Sequence, residues 1–193
     1  EWATRGGMGS TNAAGPRSVR DGSIRRWVRA VTLETFDGPL ALARGAQPDR
    51  EHPVIARWQA AVEPLLRRHR DEIRDRFPRT RKNSAGYALD HYLASGDLLD
   101  VVIGSEGTLG VITSIELQLQ AVPRQRASLR VAVHARRDLA SVIERIRAEQ
   151  PATIELLDAS FLRLIADQPL TPERPGLLHA AAGLLLAAFE GDD

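Results

Sequence analysis

Residues 104–113, GSEGTLGVIT, constrain the chain more than any other stretch: three glycines, one carboxylate and the start of a β-branched strand fall within ten residues. Gly104, Gly107 and Gly110 recur at a spacing of three. That spacing permits positive φ, or close approach of a flat or charged surface, at three points along one loop. Val111, Ile112 and Thr113 then open a strand. A loop pinned by a strand on its C-terminal side suits either a tight turn or a cofactor gripped by main-chain groups. Glu106 lies inside the loop, and its carboxylate can accept from ribose-type hydroxyls or from the loop's own N–H groups.

The strand that follows carries the clearest periodicity in the chain. Val111, Thr113, Ile115, Leu117 and Leu119 alternate with Ile112, Ser114, Glu116, Gln118 and Gln120, the period of a half-buried antiparallel strand. Upstream, residues 27–36 read as a strand with Val31, Leu33 and Thr35 on one face, Asp37-Gly38 as a hairpin turn, and residues 40–43 as the returning strand. Residues 46–52 are an exposed connector. From 53 to 77 the apolar residues Val54, Ile55, Trp58, Val62, Leu65, Leu66, Ile73 and Phe77 recur at helical spacing, with Pro53 at a first helical position and Pro64 dividing or kinking the segment. Residues 79–97 are polar and punctuated by glycine, and 98–103 form a short apolar run.

Residues 122–126, with Pro123 among them, mark a domain boundary, so residues 1–123 and 124–193 are expected to be separate domains. Beyond it come a strand (129–134), a helix (139–148, with Leu139, Val142, Ile143 and Ile146 inward), a strand (153–157) and a helix (159–166). A proline-rich loop (169–175) and a strand (184–189) follow. The series describes a second α+β unit. The run 177–189, interrupted by His179 and Gly183, reads as that last strand with its lead-in, since it is too short and too polar to span a membrane.

Composition removes several classes of function. With no cysteine the chain has no disulfide framework, no thiolate nucleophile and no cysteine-ligated iron–sulfur cluster. A net charge of +1 supplies no global attraction to nucleic acid, although 25 of the 26 basic residues are arginine and one, Lys82, is lysine. Hydrophobic content of 43% with 26% charged residues is ordinary for a globular protein. The first residue is Glu1 and no signal-peptide pattern follows it, so the chain is expected to be a piece of a longer one.

Three further constellations bear on chemistry. Residues 5–15, RGGMGSTNAAG, suggest a loop running into one short helical turn, where N–H groups at a glycine-rich turn could cradle a pyrophosphate or serve only as a structural turn. The Rossmann fingerprint fails there because Asn12 stands at its third glycine, and Gly-Lys-Ser/Thr is absent. The basic stretch 67–82 interleaves Asp71, Glu72 and Asp75 with its arginines, and Glu72 with Arg76 makes a favourable i,i+4 pair, so a solvated helix face is expected rather than a nucleic-acid surface. His52, His69, His91, His134 and His179 have neither metal-ligand spacing nor a paired carboxylate, so no metal site is expected.

Taken in order, RGGMGSTNAAGPRSVRDGSIRRWV (5–28), KNSAGYALD (82–90) and GSEGTLGVIT (104–113) resemble the flavin-dependent dehydrogenases and oxidases of the vanillyl-alcohol oxidase fold. The likeness is strongest to the branch of the glycolate oxidase D subunit, the D-lactate dehydrogenases and the D-2-hydroxyglutarate dehydrogenases. The resemblance implies an α+β fold: the C-terminal part of an FAD-binding domain of the PCMH type, followed by the start of an α+β cap domain. It implies FAD contacts from Gly6, Gly7, Thr11, Asn12, Ala13 and Gly15 on the pyrophosphate and ring side, and from Gly104, Glu106, Gly107, Gly110, Val111 and Ile112 on the adenosine side. Lys82, Asn83 and Tyr87 would stand at the flavin edge.

Relatives also carry an N-terminal pyrophosphate-loop subdomain and, in the distal cap, catalytic and metal-binding histidines; neither has a counterpart in these 193 residues. The catalytic base is therefore not assigned. The implied activity is oxidation of a 2-hydroxy acid such as glycolate, D-lactate or D-2-hydroxyglutarate by hydride transfer to flavin, with electrons leaving to a quinone, a carrier protein or oxygen. The implied location is cytoplasmic or peripheral at the inner membrane face. The alternative is a non-catalytic scaffold or interaction fragment that retains the flavin-domain fold.

Overall fold

The computed structural model describes residues 3–80, 82–165 and 181–192. In chain order its elements are α1 (Arg5–Ser10), α2 (Ser18–Asp21), β1 (Val28–Thr35), β2 (Gly38–Ala43), α3 (Pro53–Arg57), α4 (Glu63–Arg68), α5 (Arg70–Arg76), α6 (Leu89–Ser95) and α7 (Leu99–Val102). They continue with β3 (Val111–Leu117), β4 (Gln125–Val133), α8 (Leu139–Ala148), β5 (Thr153–Asp158), α9 (Ala159–Ile165) and β6 (Gly183–Gly191). The chain divides into two units, one of Glu1–Ala14 with Gly22–Gln120 and one of Gly15–Asp21 with Ala121–Asp193. The proline-rich loop expected at 169–175, His179 and Arg81 lie outside the described residues.

In the first unit an antiparallel sheet runs in the order β2-β1-β3. Its hairpin loop is Phe36-Asp37, because Thr35 pairs with Gly38. The expected turn therefore shifts by one residue. The Thr35 hydroxyl sets it, donating to Gly38 O at 2.7 Å and accepting from Asp37 N at 3.1 Å. Val28, Val31, Leu33, Leu40 and Leu42 face inward and pack with Ile55, Leu99, Val102 and Ile103. A second cluster joins Leu66, Ile73, Tyr92 and Val101.

One local expectation is corrected in this unit, and two segments without an assigned element prove helical. The strict alternation after residue 110 does not hold: Thr32 pairs with Ser114 but Leu33 pairs with Ile112, so Thr113 is an extra residue, a β-bulge. Beyond the bulge Ile112, not Val111, meets the core alongside Ile115 and Leu117, and Val111 is 67% exposed. The apolar run 98–103 is a helical turn whose four residues Leu99, Asp100, Val101 and Val102 are all buried; such a run has no polar face to betray its period. The polar segment 79–97 contains α6, which ends where Gly96 takes φ +72°.

Pro64 acts as expected, with a specific geometry. It occupies the first turn of α4, and the chain before it opens into a π-turn at Trp58–Val62 in which Glu63 N bonds to Trp58 O. The wider turn absorbs the missing N–H and the ring's bulk.

The second unit follows its periodicity, except that β4 begins at Gln125, inside the stretch expected as a boundary and ahead of the strand expected at 129–134. Its sheet order is β4-β6-β5, with the central β6 antiparallel to both neighbours. Leu139, Val142, Ile143 and Ile146 of α8 close over Val133, Leu185 and Ala187. The segment 15–21 also belongs to this unit: Glu190, whose side chain is 5% exposed, receives Arg17 at 2.6 Å, Arg20 at 2.9 Å and Arg126 at 3.3 Å.

Candidate functional site

Residues 5–15 form a helix followed by a turn, the reverse of the order expected. Thr4 caps α1 by accepting from Gly7 N at 3.0 Å. Three glycines in six residues cost a helix about 1 kcal/mol each, and packing supplies the reason for them. A Cβ on Gly6 would stand 2.7 Å from Ile112 O, and one on Gly9 would stand 3.0 Å from Ile115 Cδ1. Only glycines let α1 lie this close on β3. After α1 the chain turns through Asn12, at φ +48° and 4% exposed, with Ala13 N bonded to Met8 O at 2.9 Å. Thr11 Oγ1 donates to Gly7 O at 3.0 Å on the exposed side.

The glycine loop 104–110 hangs on the end of that helix. Gly104 N donates to Gly9 O at 3.1 Å and Glu106 N donates to Ser10 O at 2.9 Å, so the last carbonyls of α1 take hydrogen bonds from the loop, Gly9 O accepting from Asn12 N as well. Gly104, Glu106, Gly107 and Gly110 all have positive φ. Their surroundings differ. A Cβ on Gly104 would lie 3.3 Å from both Arg25 Nη2 and Asn12 Cβ, and one on Gly110 would collide with Glu34 O and lie 2.9 Å from Leu33 Cγ. At Gly107 nothing lies within 4 Å. Close approach at Gly104 and Gly110 is therefore made by the protein itself, while Gly107 borders open space.

Ser105 is 3% exposed, and its hydroxyl oxygen is buried with no hydrogen-bond partner. Among the described residues the other such side-chain atom is His52 Nε2. Glu106, Thr108 and Leu109 are exposed along the same loop.

The motif at 82–90 meets both glycine stretches. Lys82 Nζ donates to Ala14 O at 3.1 Å, and the Tyr87 hydroxyl lies 2.7 Å from Thr108 Oγ1. Thr108 spends its one proton on Ser105 O at 2.6 Å, so the Tyr87 hydroxyl is the donor and keeps its lone pairs. Asn83 accepts from Ala85 N at 3.2 Å, a local turn. Three motifs up to a hundred residues apart thus meet in the first unit. Val111 starts the exposed end of β3 and Ile112 points inward. Gly15 opens the second unit, where its carbonyl accepts from Ser18 N at 2.9 Å.

Beneath the loop lies a charge network absent from the sequence reading. Arg25, 8% exposed, donates through its guanidinium to Asp100 O and, at 2.5 Å, to Ile103 O. Asp100 Oδ1 lies 3.6 Å from Arg25 Nη1 and 2.9 Å from Arg44 Nη1, and Asp100 Oδ2 accepts from Ser95 Oγ at 2.8 Å. Arg44 also pairs with Asp97 at 3.3 Å. Burial pulls the Arg25 guanidinium below the usual arginine range, and Asp100 works against that shift. The available signal was Asp100 itself, an acid within an otherwise apolar run, which demands a cationic partner when buried.

The remaining candidates are local. Glu72 and Arg76 pair at 3.1 Å and Arg74 reaches Asp71 and Asp75 at 2.9 Å, all on exposed helix surface. His52 caps α3 by accepting from Val54 N, and His69 meets Glu72 at 3.2 Å.

No family model matches the chain. Over 99% of its length it is 27% identical to D-2-hydroxyglutarate dehydrogenase of Escherichia coli, of which it covers 20%. Over its whole length it is 28% identical to D-lactate dehydrogenase of Archaeoglobus fulgidus, of which it covers 34%. A stretch of 109 residues is 38% identical to the mitochondrial D-lactate dehydrogenase (cytochrome) of Arabidopsis thaliana, covering 54% of this chain and 18% of that protein. The chain therefore spans between about a fifth and a third of these relatives' length. Among solved structures, alkyldihydroxyacetonephosphate synthase superposes with a TM-score of 0.62 at 19% identity, covering 99% of this chain and 29% of that one. The likeness to D-2-hydroxyglutarate and D-lactate dehydrogenases that the three motifs suggest thus extends along the chain, and its α+β fold is that of a segment of the synthase.

Proposed function

We propose that this chain forms part of an FAD-dependent dehydrogenase or oxidase acting on a 2-hydroxy acid, with glycolate, D-lactate and D-2-hydroxyglutarate as the substrate class. The observation that carries this reading is the meeting of the three motifs: the loop 104–110 hangs on α1 by two main-chain hydrogen bonds, and Lys82 and Tyr87 reach residues 14 and 108. Gly6, Gly7, Thr11, Asn12, Ala13, Gly104, Glu106, Gly107, Gly110, Val111 and Ile112 would line the cofactor. Gly15 enters through the resemblance alone.

The residues fit a dinucleotide. The buried Ser105 hydroxyl has no partner within the protein, Gly107 combines φ +80° with open space, and Glu106 presents an exposed carboxylate. When bound, the flavin supplies the two-electron acceptor that oxidation of a hydroxy acid needs. In this reading residues 1–123 belong to the FAD-binding domain and 124–193 to the start of the cap. Lys82 and Tyr87 form a wall in which Tyr87 presents lone pairs, suited to accept from a hydroxyl. Among the described residues no helix is long and apolar enough to cross a membrane.

A scaffold reading has one observation in its favour: packing alone explains Gly6, Gly9, Gly104 and Gly110. Expression in the natural reading frame and an absorbance spectrum separate the two. A yellow protein bleached by D-2-hydroxy acids supports the enzyme; a colourless one that FAD does not reconstitute overturns it. The 193 residues alone are expected to bind FAD weakly or not at all in a flavin-fluorescence titration, and tight stoichiometric binding would contradict that.

A further inference from the structure

We infer that Arg25 is a positioning residue that fixes the turn at 9–12 and the loop at 104–107 to one another. The inference deepens the cofactor reading, but its first test does not depend on it.

Arg25 lies in the 3₁₀ turn Ile24–Arg26 and touches both motifs through separate groups. Its main-chain N–H is given to Asn12 Oδ1 at 3.4 Å. Its guanidinium donates to Asp100 O and Ile103 O, carbonyls that α7 leaves free immediately before Gly104. A Cβ on Gly104 would be tight, since Arg25 Nη2 and Asn12 Cβ would each be 3.3 Å from it, and its φ of +92° disfavours a side chain as well. The identities of Asn12, Arg25 and Gly104 are thus interdependent. Asn tolerates the left-handed backbone at residue 12 and supplies the acceptor; the missing Cβ at Gly104 admits the guanidinium.

A buried arginine is more often read as a counter-ion, and charge balance is only part of what the geometry shows here. The Asp100 carboxylate already has Arg44 at 2.9 Å and Ser95 at 2.8 Å, while Arg25 stands at 3.6 Å from it. The shorter contacts of Arg25 are to main-chain oxygens. A planar fork can serve two carbonyls at once, and a lysine ammonium on a flexible stem cannot hold the same pair in register. What Arg25 does beyond charge balance is hold backbone, and the backbone it holds leads into the glycine loop.

Two variants of the full chain test this: Arg25→Lys, which keeps the charge and loses the fork, and Arg44→Gln, which weakens the same network and loses a long 3.4 Å bond to Arg25 O but reaches neither the turn at 9–12 nor the loop at 104–107. Hydrogen exchange at Gly104 N–H and Glu106 N–H reads the link directly, since these amides bond to Gly9 O and Ser10 O. Arg25→Lys is expected to speed exchange at both by about tenfold, a loss of roughly 1.4 kcal/mol of local protection. Arg44→Gln should leave them in step with the rest of the first unit.

Asn12→Ala removes the acceptor for the Arg25 N–H together with a side chain that tolerates the left-handed backbone at residue 12. It should reproduce the Arg25→Lys effect in weaker form, and it keeps the test alive should Arg25→Lys fail to fold. Equal effects in the Arg25 and Arg44 variants, or unchanged protection in Arg25→Lys and Asn12→Ala, would overturn the assignment. A flavin titration of the same variants expressed in the natural reading frame then separates the two ideas. Weaker FAD binding in Arg25→Lys than in Arg44→Gln supports the link to the cofactor. Exchange changes in a protein that takes up no FAD even when expressed in its natural reading frame would leave Arg25 as the link and sink the flavin reading.

Discussion

The two units hold their loops in different ways. The second is closed by apolar periodicity: Val133, Leu185 and Ala187 on the sheet meet Ile146 and its neighbours on α8. The first has such a core under β1 and β2, but the end that carries the three motifs is held by Arg25, Arg44, Asp97 and Asp100 and by glycines with no room for a Cβ. Buried charge is a poor source of net stability, because desolvation offsets the attraction between partners. It does fix geometry, since hydrogen bonds are directional and apolar contacts are not. The difference teaches that the first unit spends part of its interior on placing backbone, which a merely stable domain does not require.

The comparison is most open to attack at Asp100 and Leu185. Asp100→Ala leaves the buried Arg25 and the half-buried Arg44 without the carboxylate they share and is expected to cost about 4 kcal/mol. Leu185→Ala, at a residue 1% exposed on the central strand of the second unit, is expected to cost about 3 kcal/mol. Denaturant unfolding followed by hydrogen exchange on separated peptides assigns each loss to its unit. A negligible cost for Asp100→Ala would mean that the network is decoration, and the contrast between the units would fall.

A narrower pair probes the loop itself. Gly110→Ala sets a Cβ against Glu34 O and Leu33 Cγ and should destabilise by about 2–3 kcal/mol through overpacking. Gly107→Ala meets open space and carries only the cost of positive φ, about 1 kcal/mol. Gly107→Val should in addition lower flavin occupancy in the complete enzyme, read from the ratio of flavin to protein absorbance. Full occupancy in that variant would return Gly107 to the role of a plain turn residue.

What could be read in the sequence follows the same division. In the second unit α8 and β5 stand where the apolar spacing puts them, because each shows one face to one core, whereas β4 begins at Gln125, ahead of the apolar spacing and within the stretch read as a boundary. In the first unit the hairpin, the helical stretch after Pro53 and the break at Pro64 were legible for the same reason. The bulge at Thr113 was not, since one extra residue leaves the composition of a strand unchanged while exchanging its faces. Nor was the partnership of Arg25 with Asp100, which joins residues 75 apart and leaves no periodic trace. The motifs showed which residues matter; only the fold shows that α1 and the loop satisfy each other's main chain.

The smallest expected effect lies in the second unit, where the polar cluster around Glu190 gives it a pH response. At Glu190 burial opposes the charge, but hydrogen bonds from Arg17 and Arg20 outweigh it and hold the carboxyl below the usual glutamate range. At Asp21 the bond from Arg20 leads, burial opposes it and Arg17 adds to it, with the same net direction. A carboxyl whose folded pKa is depressed contributes stability that is complete above its unfolded pKa, about 4.3 for Glu and 3.9 for Asp. That contribution fades as pH falls through the folded value. The second unit should therefore lose protection against hydrogen exchange below about pH 4, and Glu190→Gln should flatten that acid limb while lowering stability at neutral pH. In the first unit the depressed carboxyls, Asp37 and Asp75, sit in exposed pairs with Arg57 and Arg74, where salt screens the interaction. Raising the ionic strength should erase their acid response and leave most of that at Glu190, whose side chain is 5% exposed. If both responses vanish together with salt, the cluster around Glu190 is a surface feature and not the polar core of its unit.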